Sequence, residues 1–171
     1  MTMLAFTILS LVLLAAFTVW ASGIQGGIPQ SYSQLGTDVG DYFPGAAVNP
    51  WSIVTFAVAF LMLPPMIEAG TDSPWQCLGF FAPLYLIVVA LTPDWATDRR
   101  QLWVHRAGAA VCAIAALLWL VTIRGDLGLT LVVYVAVAVA GAATRSIRES
   151  WVFWLEAGLF LSVYGSLMIG G

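Results

Sequence analysis

Lysine is missing altogether, histidine occurs once and cysteine twice. These shortages exclude several classes of function. A zinc site needs three or four ligands drawn from His, Cys or carboxylate, and a histidine-rich one cannot be built around a single histidine. Cys77 and Cys112 fall in apolar stretches at different depths, so they read as small packing residues and not as a disulfide. All six bases are arginine, set against nine acids for a formal net charge of −3. They form no basic run, so nucleic acid is not an expected partner. No Gly-x-Ser-x-Gly elbow, phosphate loop or dinucleotide fingerprint is present, and no cofactor or metal is expected.

Charge of either sign is scarce. Only 9% of the 171 residues are charged and 61% are hydrophobic, whereas an ordinary soluble domain is roughly a quarter charged. A soluble fold of this size could not hide so many apolar side chains; a lipid-facing surface can. Six apolar stretches recur along the chain: Leu4 to Trp20, Trp51 to Ile67, Trp75 to Thr92, Leu102 to Ile123, Leu127 to Ala143 and Trp151 to Ile169. About 20 apolar residues cross a hydrocarbon core of roughly 30 Å, and lipid leaves the backbone no partner outside its own helix. The expectation is therefore an all-α, polytopic membrane protein, one domain over residues 1–171, built as a bundle of six transmembrane helices. The alternating run from Val135 to Ala140 resembles a strand, but in lipid a helix is the required form. The first stretch lacks a basic residue before it and reads as a true span, not a cleavable signal.

Boundary signals agree with these spans. Asn49-Pro50 and Ser73-Pro74 each read as an N-cap followed by proline at the first helical position. All eight tryptophans fall near predicted ends, as an interfacial aromatic belt requires. Pro64, Pro65 and Pro83 lie inside spans and are expected to bend or open them locally. Connections are short except for the segment from Ser22 to Pro50, rich in Gly, Ser, Pro, Asp and Tyr, which reads as a long loop between the first and second helices that folds back over the bundle.

Six crossings place that loop on the same side as the connections near Pro93 to Gln101 and Thr144 to Ser150. Ser31, Ser33, Asp94, His105 and Glu156 all belong to this side or to the helix turns beneath it. His105 heads a stripe of Gly108, Ala109, Cys112 and Ala116, whose small residues invite a close helix neighbour, so His105 is expected to face protein. It can be a structural group bonded to a backbone carbonyl or to Asp94, or a functional acid, base or ligand. Glu156 lies within the last span, where an unpaired acid costs about 1–3 kcal/mol; His105, Arg106 or a serine of the long loop could pair with it. Asp94, after Pro93, can be a cap or a ligand. Gly158, Ser162 and Ser166 form a second small-residue stripe, a candidate surface for a homo-oligomer. Arg99, Arg100, Arg106, Arg145 and Arg148 lie on the long-loop side and only Arg124 on the other, which by the positive-inside rule puts the loop in the cytoplasm.

The segment Ile28-Pro29-Gln30-Ser31-Tyr32-Ser33-Gln34-Leu35-Gly36, then Tyr42-Phe43-Pro44, and later His105-Arg106-Ala107-Gly108-Ala109 resembles the six-helix family of DRAM, Sfk and the FGF-receptor-activating protein, with related uncharacterised bacterial membrane proteins. Pro29, Ser31 or Ser33, Gly36 and Pro44 match its proline-serine loop and His105 its histidine-alanine motif. The likeness runs from about Leu4 to Ile123 in layout, but its motifs are confined to these three short segments. It implies an integral membrane protein without established catalysis, concerned with membrane-lipid organisation or trafficking. It also implies a long loop on the non-cytoplasmic side, opposite to the arginine count. A more distant likeness, to the alkaline-ceramidase and adiponectin-receptor hydrolases, stops at the metal: those enzymes hold zinc with three histidines.

The leading expectation is a non-catalytic protein of a bacterial inner membrane, with membrane lipid as its partner. It binds a lipid or small amphiphile beneath the long loop through His105, Glu156 and Asp94, with Ser31 and Ser33 in the lid. Two alternatives stay open: an intramembrane lipid hydrolase or transferase using Ser31 or Ser33, His105 and Asp94, and a structural subunit or small transporter module.

Overall fold

A computed structural model of the protein describes residues 2–43, 49–92 and 99–169. Among these residues the chain forms seven α-helices and no strand: α1 (Thr2–Gln25), α2 (Tyr32–Tyr42), α3 (Pro50–Glu68), α4 (Cys77–Leu91), α5 (Arg99–Trp119), α6 (Leu127–Ala143) and α7 (Trp151–Ile169). A π-helical turn, Leu120–Arg124, closes α5. Four helices are long and apolar enough to cross a membrane: α1, α3, α5 with its π turn, and α7. The other two apolar helices, α4 and α6, are shorter. The fifteen residues of α4, at about 1.5 Å each, fall short of a hydrocarbon core of roughly 30 Å.

The expected long loop is corrected. Helix α1 continues to Gln25, and α2 then fills the middle of the segment. The reason is local: Ser31 caps α2 by accepting the Gln34 N–H at 3.1 Å, and Leu35 and Val39, one turn apart, bury completely against Phe17, Ala21, Trp51 and Val89. Asn49 then fixes the start of α3. Its side chain accepts the Trp51 N–H at 2.8 Å and donates to the Gly36 carbonyl at 2.8 Å, tying α2 to α3. That approach uses Gly40, where a Cβ would stand 2.7 Å from the Asn49 amide nitrogen.

Elsewhere the bundle closes where small residues let helices touch, since lipid gives helices no water-driven reason to associate. A Cβ on Gly79 would lie 2.5 Å from the Met66 carbonyl oxygen, so α4 meets the backbone of α3 directly. Gly108 of the His105 stripe packs on Val88 and Val89 of α4. Polar side chains add links inside the bundle: Ser10 of α1 bonds the Tyr164 hydroxyl of α7 at 2.7 Å and donates to the Val58 carbonyl of α3 at 3.3 Å.

Several boundary expectations change. Ser73-Pro74 does not start α4; Ser73 accepts the Trp75 N–H in a preceding turn and the helix begins at Cys77. Helix α3 runs through Pro64 and Pro65 to Glu68, and near its end the Trp119 indole donates to the Met66 carbonyl at 3.1 Å, answering one of the carbonyls a helix end leaves over. Trp119 and Trp51 are thus core residues and not belt residues, whereas Trp20, Trp75, Trp103 and Trp151 are exposed. Trp95 lies outside the described residues. In the second small-residue stripe, Gly158 packs against the Tyr134 ring and Ser162 and Ser166 are fully buried within the chain.

Two ends of the bundle emerge. At one, the Arg124 guanidinium donates to Ser166 through Nε at 3.0 Å and to its carbonyl through Nη2 at 2.8 Å, while the Ser166 hydroxyl donates to Asp126. The π turn, with Gly125 in the left-handed region at φ 66°, delivers this clasp. Arg124 and Asp126 therefore lock α5 to α7 and are more than loop material. The other end holds the candidate site.

Candidate functional site beneath helix α2

The site is assembled by the segment that precedes α2. Gln30 accepts the Phe153 N–H at 2.9 Å, and Ile28 accepts the Ser150 hydroxyl at 3.3 Å, so the chain is pinned to the start of α7 before it turns into α2. The Glu156 carboxylate, one turn on in α7, accepts the Tyr32 N–H at 2.8 Å. A carboxylate there answers one of the N–H groups that a helix start leaves unbonded and complements the positive end of the helix dipole. Glu156 was expected to meet His105, Arg106 or a serine; its bond to the segment is made to backbone.

This placement brings Ser33 onto His105. The Ser33 hydroxyl lies 2.9 Å from His105 Nε2, and His105 Nδ1 bonds the Thr92 carbonyl. A carbonyl can only accept, so Nδ1 carries the proton; in the neutral ring Nε2 is then the acceptor and Ser33 donates to it. Both residues are buried, His105 at 3% and Ser33 at 8% exposure. The Trp51 ring lies beside the imidazole, with centroids 6.3 Å apart. Of the structural and functional alternatives for His105, the backbone carbonyl partner is present and so is a serine. Ser31 is not in this arrangement, because its hydroxyl is committed to the cap. Asp94 lies outside the described residues.

A cavity of about 90 Å³ opens beneath α2, between α1, α3, α4, α5 and α7. Its polar lining comes from Ser33, Glu156, Tyr32, Thr55 and Cys112, and the remainder is apolar, including Leu14, Val58, Leu86, Leu159 and Phe160. No arginine lines it. A water needs about 10–15 Å³ measured in this way, so the space holds several waters or a stretch of alkyl chain. Leu86, Cys112, Leu159 and Phe160 also line a deeper cavity of about 50 Å³ that reaches Met62, Met66 and Pro83. Toward the outside, Leu14, Tyr32 and Phe160 separate the central space from a groove of about 230 Å³ between α1 and α7.

Tyr32 is therefore a wall of two spaces. Its ring packs on Phe153 at 5.0 Å and edge-on to Phe160 at 5.6 Å. Burial pushes its phenol up, the Thr18 hydroxyl bond works against that, and the nearby Glu156 charge adds to the rise. Further along α2, burial and then the neighbouring Asp41 raise the Asp38 carboxyl. One Asp38 oxygen, Oδ2, is shut from solvent with no hydrogen-bond partner among the described residues.

Among the described residues, no three His, Cys, Asp or Glu side chains cluster closely enough to hold a metal ion. Cys77 and Cys112 are both free thiols. Sequence reasoning missed Thr92 and Tyr32 as site residues. Thr92 contributes only its carbonyl, which no side-chain pattern announces, and Tyr32 was read as part of a loop. The Ser31-x-x-Gln34 spacing, a capping-box pattern, was the signal that α2 begins there. Compared with known proteins, the chain matches no family model, no curated protein and no solved structure.

Proposed function

We propose that this is an integral membrane protein with six crossings, of a bacterial inner membrane, that binds a single-chain amphiphile in the cavity beneath α2. The observation that carries this reading is the lining: an apolar space inside the bundle, capped at one end by Ser33, Glu156 and the chain's only histidine behind them. Apolar pockets with a few converging polar groups are the usual form of a small-molecule site. Polar groups within a membrane domain are costly enough that they tend to mark function. The ligand's polar end sits at Ser33 and Glu156, and its chain runs past Leu86 and Leu159 toward Met66. With a carboxylate in the lining and no arginine, the site favours an uncharged headgroup over an anionic one. The resemblance to the DRAM and Sfk family, which implies some role in membrane-lipid organisation or trafficking, agrees with this reading.

The test uses the full chain in nanodiscs, offered octyl glycerol ether and read by native mass spectrometry. Retention of one ether per chain, lost in Ala109→Leu, which fills the cavity from α5, is the expected result. Equal retention by the wild type and Ala109→Leu, or none by either, would overturn the reading.

A further inference from the structure

We infer that Ser33 and His105 form a nucleophile–base pair that cleaves an uncharged, single-chain carboxylic ester held in the cavity beneath α2. The inference rests on the binding reading above and goes beyond it. Three observations converge on Ser33. Its hydroxyl is 2.9 Å from His105 Nε2, within the reach a general base needs. The opposite ring nitrogen is fixed by the Thr92 carbonyl, which sets the tautomer that leaves Nε2 free to take a proton. Ser33 itself lines the cavity, with His105 behind it, so the serine of the pair adjoins space and not only protein.

A fourth observation concerns the charge that would develop. Ser33 stands in the first turn of the eleven-residue α2. Of the nearby N–H groups, Tyr32 is bonded to Glu156, Gln34 to Ser31 Oγ and Leu35 to the Ser31 carbonyl. The Ser33 N–H has no partner among the described residues. It is a donor beside the reacting hydroxyl, at the positive end of a helix, where an oxyanion would form. Glu156, by holding the Tyr32 N–H, is a positioning residue.

The step balances with water as co-reactant. Ser33 Oγ bonds to the ester carbonyl carbon as its proton passes to His105 Nε2. The carbon–alkoxy bond then breaks, and the departing oxygen takes that proton, releasing an alcohol. Water next adds to the acyl-serine, giving its proton to His105. The Ser33–acyl bond breaks, the proton returns to Ser33, and a carboxylic acid leaves.

The experiment treats the full chain in nanodiscs with an octyl fluorophosphonate and maps the adduct by peptide mass spectrometry. In parallel it measures retention of octyl glycerol ether, which cannot be cleaved, and hydrolysis of octanoyl glycerol, its ester counterpart. The expected results are an adduct on Ser33, ester hydrolysis lost in Ser33→Ala, and labelling slowed about 100-fold or more in His105→Gln, with the ether retained by the wild type. Ether retention by the wild type without any Ser33 adduct overturns the inference and leaves the binding reading intact. Labelling of Ser33 that ignores His105→Gln also overturns it, because the histidine would then be only a structural partner. Absence of both ether retention and adduct overturns both readings.

Discussion

His105 holds two elements at once, the end of α4 through the Thr92 carbonyl and the start of α2 through Ser33. Removing it takes the partner from the buried Ser33 hydroxyl and from the half-buried Thr92 carbonyl, a loss of about 1–3 kcal/mol for a group left orphaned. His105→Ala is therefore expected to lower the thermal transition in detergent clearly, and Ser33→Ala to lower it less, since the ring keeps its Thr92 bond. Asp38 gives the opposite sign. Its carboxyl is raised in the folded protein by burial and by Asp41, so the folded state holds the Asp38 proton more tightly than the unfolded chain does. Stability from this group is greatest in acid and falls as pH rises from the ordinary aspartate range through its raised folded value. Asp38→Asn should thus stabilise the protein at pH 7, with the gain shrinking toward pH 4; a variant less stable than wild type at pH 7 would show that the carboxylate has a partner. That His105 faces protein was legible from the small residues spaced behind it. Which serine it meets was not, because Ser31 and Ser33 differ only in their place relative to a helix start that the glycines and aspartates of that segment obscure.

Helix α2 is the element on which the site depends. Its N-terminus is fixed by Ser31, Glu156 and the stapling of Ile28 and Gln30 to α7. Replacing a capping serine with alanine costs about 1 kcal/mol, so Ser31→Ala should speed amide exchange across residues 32–36 and leave α3 unchanged. Unaltered exchange there would mean that Glu156 alone suffices. Contacts between the spans depend on glycine in the same local way. At Gly79 a Cβ would meet the Met66 carbonyl at 2.5 Å, whereas at Gly128 nothing lies within 4 Å. Gly79→Ala should destabilise by about 1–3 kcal/mol, the scale of overpacking, and Gly128→Ala should be tolerated; thermal unfolding of the two variants compares them directly. The apolar helices themselves could be read from hydropathy, and four of them are long enough to cross a membrane. The partners of each face could not, because the same apolar side chain serves lipid and protein equally: Trp51 and Trp119 look like belt residues in sequence and are core in the fold.

Across the described residues, two groups of polar contacts hold opposite ends of the bundle, with the Ser10 bonds to Tyr164 and Val58 between them. One joins α2, the end of α4, the start of α5 and the start of α7; the other joins the end of α5, the start of α6 and the end of α7 through Arg124, Asp126 and Ser166. The locking role of Arg124 did not show in the sequence because a lone arginine in a short turn looks solvated. With Cys77 and Cys112 replaced, single cysteines at Tyr42 and Ile147 should react with a membrane-impermeant maleimide from one face, and at Asp72 and Asp126 from the other. Reactivity of all four from one face would break the six-crossing reading, and the face that exposes Tyr42 settles which side α2 occupies. Between these ends, Leu14, Tyr32 and Phe160 stand as a partition one side chain thick between the buried space and the groove along α1 and α7. If the buried space holds the amphiphile proposed above, its exchange with the groove would be governed by how often an aromatic ring turns aside, not by passage through water.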